Sequence, residues 1–342
     1  MKDVKSKNNV NQVYSRYTYL KHRPKQHKLL DRPFLSSILL FVVFELASVF
    51  INIVVVYLVY FIHVLLGAQI NSSKDSSIAV SYNSVSVITS NISLIIFSLL
   101  VLFWFKLRFK PKYKGVFCLN NFAIGCLCLL PLLVYAVLTN IASCDFNYLS
   151  FGIILAALVP AVSEEVLFRG IIGINLIRLW LRHKKIVYVM IVPSLIFGLA
   201  HTLNILGGAN IYYTFMQVIF AFSMGMCFMA AIIRSGNITP LILAHFLIDL
   251  TGFLNPEVYK SGGIVETEFP GFFSMQAFVI YFFSALIILW SLILVRRTKR
   301  PYILNLWNLK FGIEIKTHIA NLRNVNKMEQ FRKSVKQKFN LT

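Results

Sequence analysis

Eight stretches of this 342-residue chain are apolar enough to cross a bilayer. A hydrocarbon layer about 30 Å thick takes about 20 residues of helix. The stretches are 35–66, 85–105, 122–142, 150–173, 186–206, 211–233, 238–254 and 274–295. The seventh is short, and the fourth and fifth carry polar residues. In lipid, backbone polar groups must be satisfied within the protein. The expected fold is therefore all-α, a polytopic membrane bundle of about eight transmembrane helices. Composition agrees: 57% of residues are apolar, 14% are charged and the mean hydropathy is +0.70. Disordered chains, coiled coils and ordinary soluble domains do not look like this.

The net charge of +21 suggests a nucleic-acid partner until the charges are located. Of the 34 Lys and Arg, 31 fall on one side of the alternating loops. Lys74 and Lys260 fall on the other, and Arg169 lies inside a span. The positive-inside rule then puts both termini in the cytosol of a plasma-membrane protein. It accounts for the charge without nucleic acid. Asp75, Asp145, Glu257, Glu266 and Glu268 fall on the outer loops. No cleavable signal peptide is expected, because the first apolar run is too long for one. The chain divides into a basic cytosolic arm (1–34), a membrane domain (35–297) and a basic tail (298–342). In the tail, Ile319, Leu322, Val325, Met328, Phe331, Val335 and Phe339 recur at helical spacing. The segment reads either as an amphipathic helix on the anionic inner leaflet or as a solvated tail. Anionic lipid is the expected partner of the basic loops and tail. The five cysteines form no CxxC pair and read as structural.

Charge inside a span is costly and marks function by default. Seven such residues occur: Glu45, Glu164, Glu165, Arg169, His201, His245 and Asp249. All but Glu45 fall in spans four, five and seven. Glu165 and Arg169 are four apart and share a helix face, so they can pair. Glu164, about 100° round the helix, is then left over. One buried ion network of all three is the structural alternative. His245 and Asp249 are also four apart. Together these groups form either a metal site of imidazole and carboxylate ligands or a water-activating acid–base cluster. Glu45 lies outside the cluster and reads as an incidental packed or snorkelling carboxylate. HExxH, a Gly-Asp pair and GxSxG are all absent from the sequence.

Glu164-Glu165-x-x-x-Arg169, Phe197-x-x-x-His201 and His245-x-x-x-Asp249 resemble the three motifs of the CPBP family. These are CAAX-protease and bacteriocin-processing intramembrane proteases, also called the Abi family and related to the Rce1-type prenyl endopeptidase. The resemblance covers roughly residues 120–255. Members carry Asn or Asp at the last position, so Asp249 fits. The resemblance implies a membrane metalloendopeptidase that cleaves a peptide or membrane-associated substrate. Beside it, Glu164 and His201 would activate water, and His245 and Asp249 would stabilise the oxyanion. Glu165, Arg169 and Phe197 would support them. Zinc or another divalent metal, if used, would take Glu164, His201 and His245 as ligands. The family is also associated with bacteriocin immunity. A non-catalytic immunity or scaffold protein of the same fold is the alternative function. A transporter is disfavoured, because no paired broken helices occur in two matching halves. The Asn/Lys/Ile-rich composition resembles that of an AT-rich bacterium, which favours a leader or signalling peptide over a prenylated substrate.

Depth sets a further expectation. His201 lies ~22 Å from Ile186 along a helix, whereas Glu164 lies only ~14 Å from Gly173. The two meet only if the first turns of span five are interfacial and the span begins nearer Pro193, which would put the site towards the cytosol. Eight spans with cytosolic termini predict that a reporter active only in the periplasmic or extracellular space stays silent when fused after Thr342. Cleavage of the 303–342 tail by external protease in intact cells would refute that topology.

Overall fold

The computed structural model describes residues 32–65, 121–181, 185–256 and 271–311, together with 96, 99 and 103. The basic arm to Asp31, most of span 85–105 and the tail beyond Phe311 lie outside the described residues. In chain order come α1 (Pro33–Leu65), α2 (Phe122–Ile141) and α3 (Phe151–Glu165). A π-helical stretch (Val166–Gly173) joins α3 to α4 (Ile174–Trp180). Then follow α5 (Ile186–Ala200), a 3-10 stretch (His201–Gly207), α6 (Ile211–Ser235), α7 (Thr239–Phe253), α8 (Met275–Leu294) and α9 (Arg300–Phe311). Among the described residues, six helical runs are long and apolar enough to cross a membrane. They match six of the eight expected spans, and the 15-residue α7 is the short seventh. The protein is an all-α polytopic membrane bundle.

Helix α6 is the axis of the bundle. Its spanning stretch is 72% buried, against 22% for α8 and 18% for α1, which face lipid. α5, α8 and α2 pack around α6, while α7 lies between α2 and α3. Small residues let backbones approach, as is usual in membranes. A Cβ on Gly225 of α6 would lie 2.9 Å from the Cβ of Ser194 on α5. On Gly125 of α2 it would lie 2.6 Å from Pro240 at the start of α7. Any larger residue would force these helices apart.

The loops end the helices with local chemistry. Asn210 caps α6 by accepting from the amides of Tyr212 and Tyr213 at 2.8 and 3.3 Å. Gly236 ends it in the left-handed region at φ 61°, where a side chain would clash. The turn that follows is buried: Ser235, Asn237 and Ile238 are all 0% exposed. Helix α7 therefore begins inside the bundle instead of at its surface.

The structure changes the helix lengths behind the depth expectation. In the first turns of α5, Ile186, Val189 and Met190 are buried against the bundle. The motif helix runs past Gly173 to Trp180 as one rod. Glu164 then lies ~24 Å from Trp180 and His201 ~22 Å from Ile186, so the two depths agree. His245, only ~9 Å from Thr239, joins them because the α6–α7 turn is itself sunken. The site lies deep in the bundle.

The first part of the C-terminal segment also differs from a surface-lying helix. α9 docks on the bundle, with Ile303 0% and Trp307 1% exposed. Trp307 Nε1 donates to the carbonyl of Ile233 at 2.9 Å, satisfying one of the free acceptors at the end of α6. Trp307→Ala removes a fully buried ring and that bond, and is expected to cost about 3–5 kcal/mol. Thermal unfolding in detergent should register it as a clear drop in Tm with a shared loss of α9 and bundle.

Candidate active site

The six intramembrane charges on the motif helix, at the end of α5 and on α7 are brought together by three helix contacts. α3 packs along α7, and the π-helical stretch packs against α5 and α6. Widening of the helix at Val166–Gly173 coincides with Arg169, and π segments are common at functional sites. Ser163 Oγ donates to the carbonyl of Pro160 at 3.2 Å, where a proline interrupts the ladder one turn before Glu164.

Glu165 is the hub. It is 0% exposed, and one oxygen, Oε1, accepts from Arg169 Nη1 and from His245 Nδ1, both at 2.9 Å. Arg169 is itself 1% exposed. Its Nε and Nη2 have no hydrogen-bond acceptor among the described residues. Aromatic faces stand there instead. The guanidinium carbon lies 4.4 Å from the ring centre of Phe197 and 5.0 Å from that of Phe228. Desolvated cation–π contacts of this kind are worth about 2 kcal/mol.

His245 is 3% exposed and held by Glu165 through Nδ1, so Nε2 faces the site. From Nε2, Asp249 Oδ2 lies at 3.4 Å and Glu164 Oε2 at 3.7 Å. These two carboxylates are the open ones, with side chains 24% and 33% exposed. The adjacent Glu164 and Glu165 therefore differ in kind: one points to the opening and the other is sealed. His201 is oriented separately. Its Nδ1 lies 2.9 Å from the Phe197 carbonyl, which can only accept, so Nδ1 carries the proton and Nε2 offers its lone pair. Phe197 is the common wall, in edge contact with His201 at 5.0 Å and His245 at 6.2 Å between ring centres.

The arrangement gathers one buried ion pair, two oriented imidazoles and two accessible carboxylates. This is suited to proton transfer at a water. It is less suited to a metal, because no group of three or more His, Cys, Asp or Glu that could hold one occurs among the described residues. The donor chemistry is right for zinc, but the side chains do not converge as a ligand set, so the chemistry below is written without one.

Two residues of the site were not singled out as part of it from sequence. Phe228 covers Arg169 and lies 5.9 Å from the His245 ring, but it sits in an apolar run with nothing to mark it. Glu45 was marked by its charge and set aside. The structure packs α1 against the motif rod, and its half-buried carboxylate lies within electrostatic reach of Glu164.

Residues 146–251 match the family model "Type II CAAX prenyl endopeptidase Rce1-like". The matched segment holds all three motifs, so the resemblance read from them is supported by a comparison that uses the whole segment. It supports a CPBP/Rce1-type family and a CAAX-type intramembrane protease kind of function. No curated protein and no solved structure matches the chain.

Arg169→Leu would leave Glu165 buried beside His245 without its cation. Breaking one partner of a buried pair costs on the order of 3–5 kcal/mol. The expected result is a low yield of folded protein and a lowered Tm in detergent. Normal accumulation and an unchanged Tm would show that the pair does not hold the site together.

Proposed function

We propose that the protein is an intramembrane endopeptidase in which Glu164 activates water for attack on a peptide carbonyl. The observation that supports this most directly is the division of labour between adjacent carboxylates. Glu165 is consumed by Arg169 and His245, while Glu164 is left unpaired by the arginine and open. A purely structural ion network has no use for a further, half-buried acid beside a pair that is already complete.

The steps follow from the donors and acceptors. A water between Glu164 and the free Nε2 of His201 gives a proton to the Glu164 carboxylate. The hydroxide oxygen adds to the scissile carbonyl carbon, and the carbonyl electrons move to its oxygen. His245, doubly protonated among its carboxylates, donates Nδ1–H to Glu165 and Nε2–H to that oxyanion, and Asp249 sits beside it to donate when protonated. Collapse of the intermediate breaks the C–N bond, and the proton held by Glu164 passes to the leaving amine. Glu165, Arg169 and Phe197 do no bond-making, but they fix the imidazole faces.

The biological reading follows the same line. The substrate is a leader or signalling peptide, or another membrane-associated chain, and a role in bacteriocin processing or immunity is compatible with cleavage. The protein sits in the plasma membrane with both termini in the cytosol, and anionic lipid meets its basic loops and tail.

Glu164→Gln keeps the size and much of the hydrogen bonding but removes the base. Peptide cleavage by the purified protein should fall by about 10²–10⁴-fold with Tm unchanged. His201→Ala and His245→Ala should match it, and double variants should lose little more, because the groups act as a unit. Asp249→Asn should be milder. The assay is mass spectrometry of membrane peptides from a deletion strain complemented with each variant. Full complementation by Glu164→Gln would end the peptidase reading and leave a non-catalytic partner-binding role.

A further inference from the structure

We propose that Glu45 is a specificity-determining residue of this site, and that it selects a peptide with a Lys or Arg side chain beside the scissile bond. The proposal rests on the peptidase reading above and deepens it.

The placement comes from helix register. α1 and the motif rod run antiparallel. Asn175 Nδ2 donates to Ser36 Oγ at 3.1 Å in a buried contact. Further along, the Phe41 and Phe168 rings lie 6.0 Å apart. Each step along α1 is matched by a similar step back along the rod. One more turn, four residues on from Phe41 and four back from Phe168, sets Glu45 against Glu164. The two carboxylates are near enough for their charges to act on one another. Phe44, 4% exposed, confirms that this face of α1 is turned inwards. The half-buried Glu164 thus faces a second acid, carried by α1.

The charges do not balance. Four carboxylates meet here: Glu45, Glu164, Glu165 and Asp249. Two cations answer them among the described residues, Arg169 and protonated His245, and Glu165 takes the arginine. His245 lies among the other acids and is not free to reach Glu45, since its two nitrogens face Glu165, and Asp249 with Glu164. Like charges facing each other in an apolar bundle are costly, and a cation between them relieves that cost. A metal ion is a poor candidate, because no three-donor group that could hold one occurs among the described residues. An ammonium or guanidinium on a flexible stem can enter between α1 and the rod with the peptide it belongs to. Bound there, it lies next to Glu164, so the bond presented for attack is one close to the basic residue.

The test uses the purified full chain in detergent and an equimolar library of synthetic peptides carrying Lys, Gln or Glu at one varied position. Cleavage and retention are both read by mass spectrometry. The wild type should cleave the Lys peptide with a kcat/KM about tenfold or more above its Gln counterpart, the scale of one charged hydrogen bond. Glu45→Gln should bring that ratio close to one, Glu45→Asp should keep the preference, and Glu45→Lys should shift it towards Glu peptides. A role in helix packing alone would change all peptides alike. The same Lys-to-Gln ratio in wild type and Glu45→Gln would overturn the assignment while leaving the peptidase reading intact. Retention of Lys peptides that depends on Glu45, without any cleavage, would support the assignment and end the peptidase reading. Neither cleavage nor retention would overturn both.

Discussion

One oxygen atom carries more of this structure than any other. Glu165 Oε1 accepts from Arg169 on its own helix and from His245 on α7. A charge placed so deep in an apolar bundle is tolerable only if it is paired and its partner is also satisfied. That requirement propagates. Arg169 must be covered on its remaining sides, which calls for Phe197 from α5 and Phe228 from α6. His245 must come to the motif helix, which calls for α7 to start inside the bundle. Four helices are thus tied to one carboxylate, and the imidazole faces that remain are those the chemistry uses.

The same interaction explains why adjacent glutamates have different fates. A helix turns about 100° per residue, so Glu164 and Glu165 cannot share a direction. Once Glu165 is turned inwards by its two partners, Glu164 is directed towards α1 and the opening. Its freedom follows from its neighbour's confinement. The arrangement resembles the orienting of a histidine by a buried carboxylate in hydrolases of other folds, in which one acid holds the imidazole and another group does the attacking chemistry.

The surrounding bundle serves this geometry at modest cost. α6 is buried along most of its length and gives α5, α2 and α8 a common surface. Gly225 lets α5 and α6 approach closely, and Gly125 does the same for α2 and α7. α9 closes the far end, where Trp307 satisfies a carbonyl of α6 beside the sunken turn.

Much of this could be read from residue order. Runs of about 20 apolar residues leave lipid-spanning helix as the one solution for the backbone, so the fold class and seven of the described helices were legible with near-correct bounds. So was the Glu165–Arg169 pairing, because four residues along a helix is a fixed distance. Interactions between helices were not legible. Nothing in the spacing says that His245 bonds to Glu165 rather than pairing with Asp249 alone, that the motif helix passes Gly173, or that α7 starts deep. Phe228 carries no mark among its apolar neighbours. Glu45 is conspicuous as a charge, yet only the antiparallel register of α1 and the rod sets it across from Glu164. Local periodicity is written in the chain, because the helix repeat is set by the backbone. Depth, register and the choice of partner across helices are decided by packing, where many residues far apart in sequence act at once.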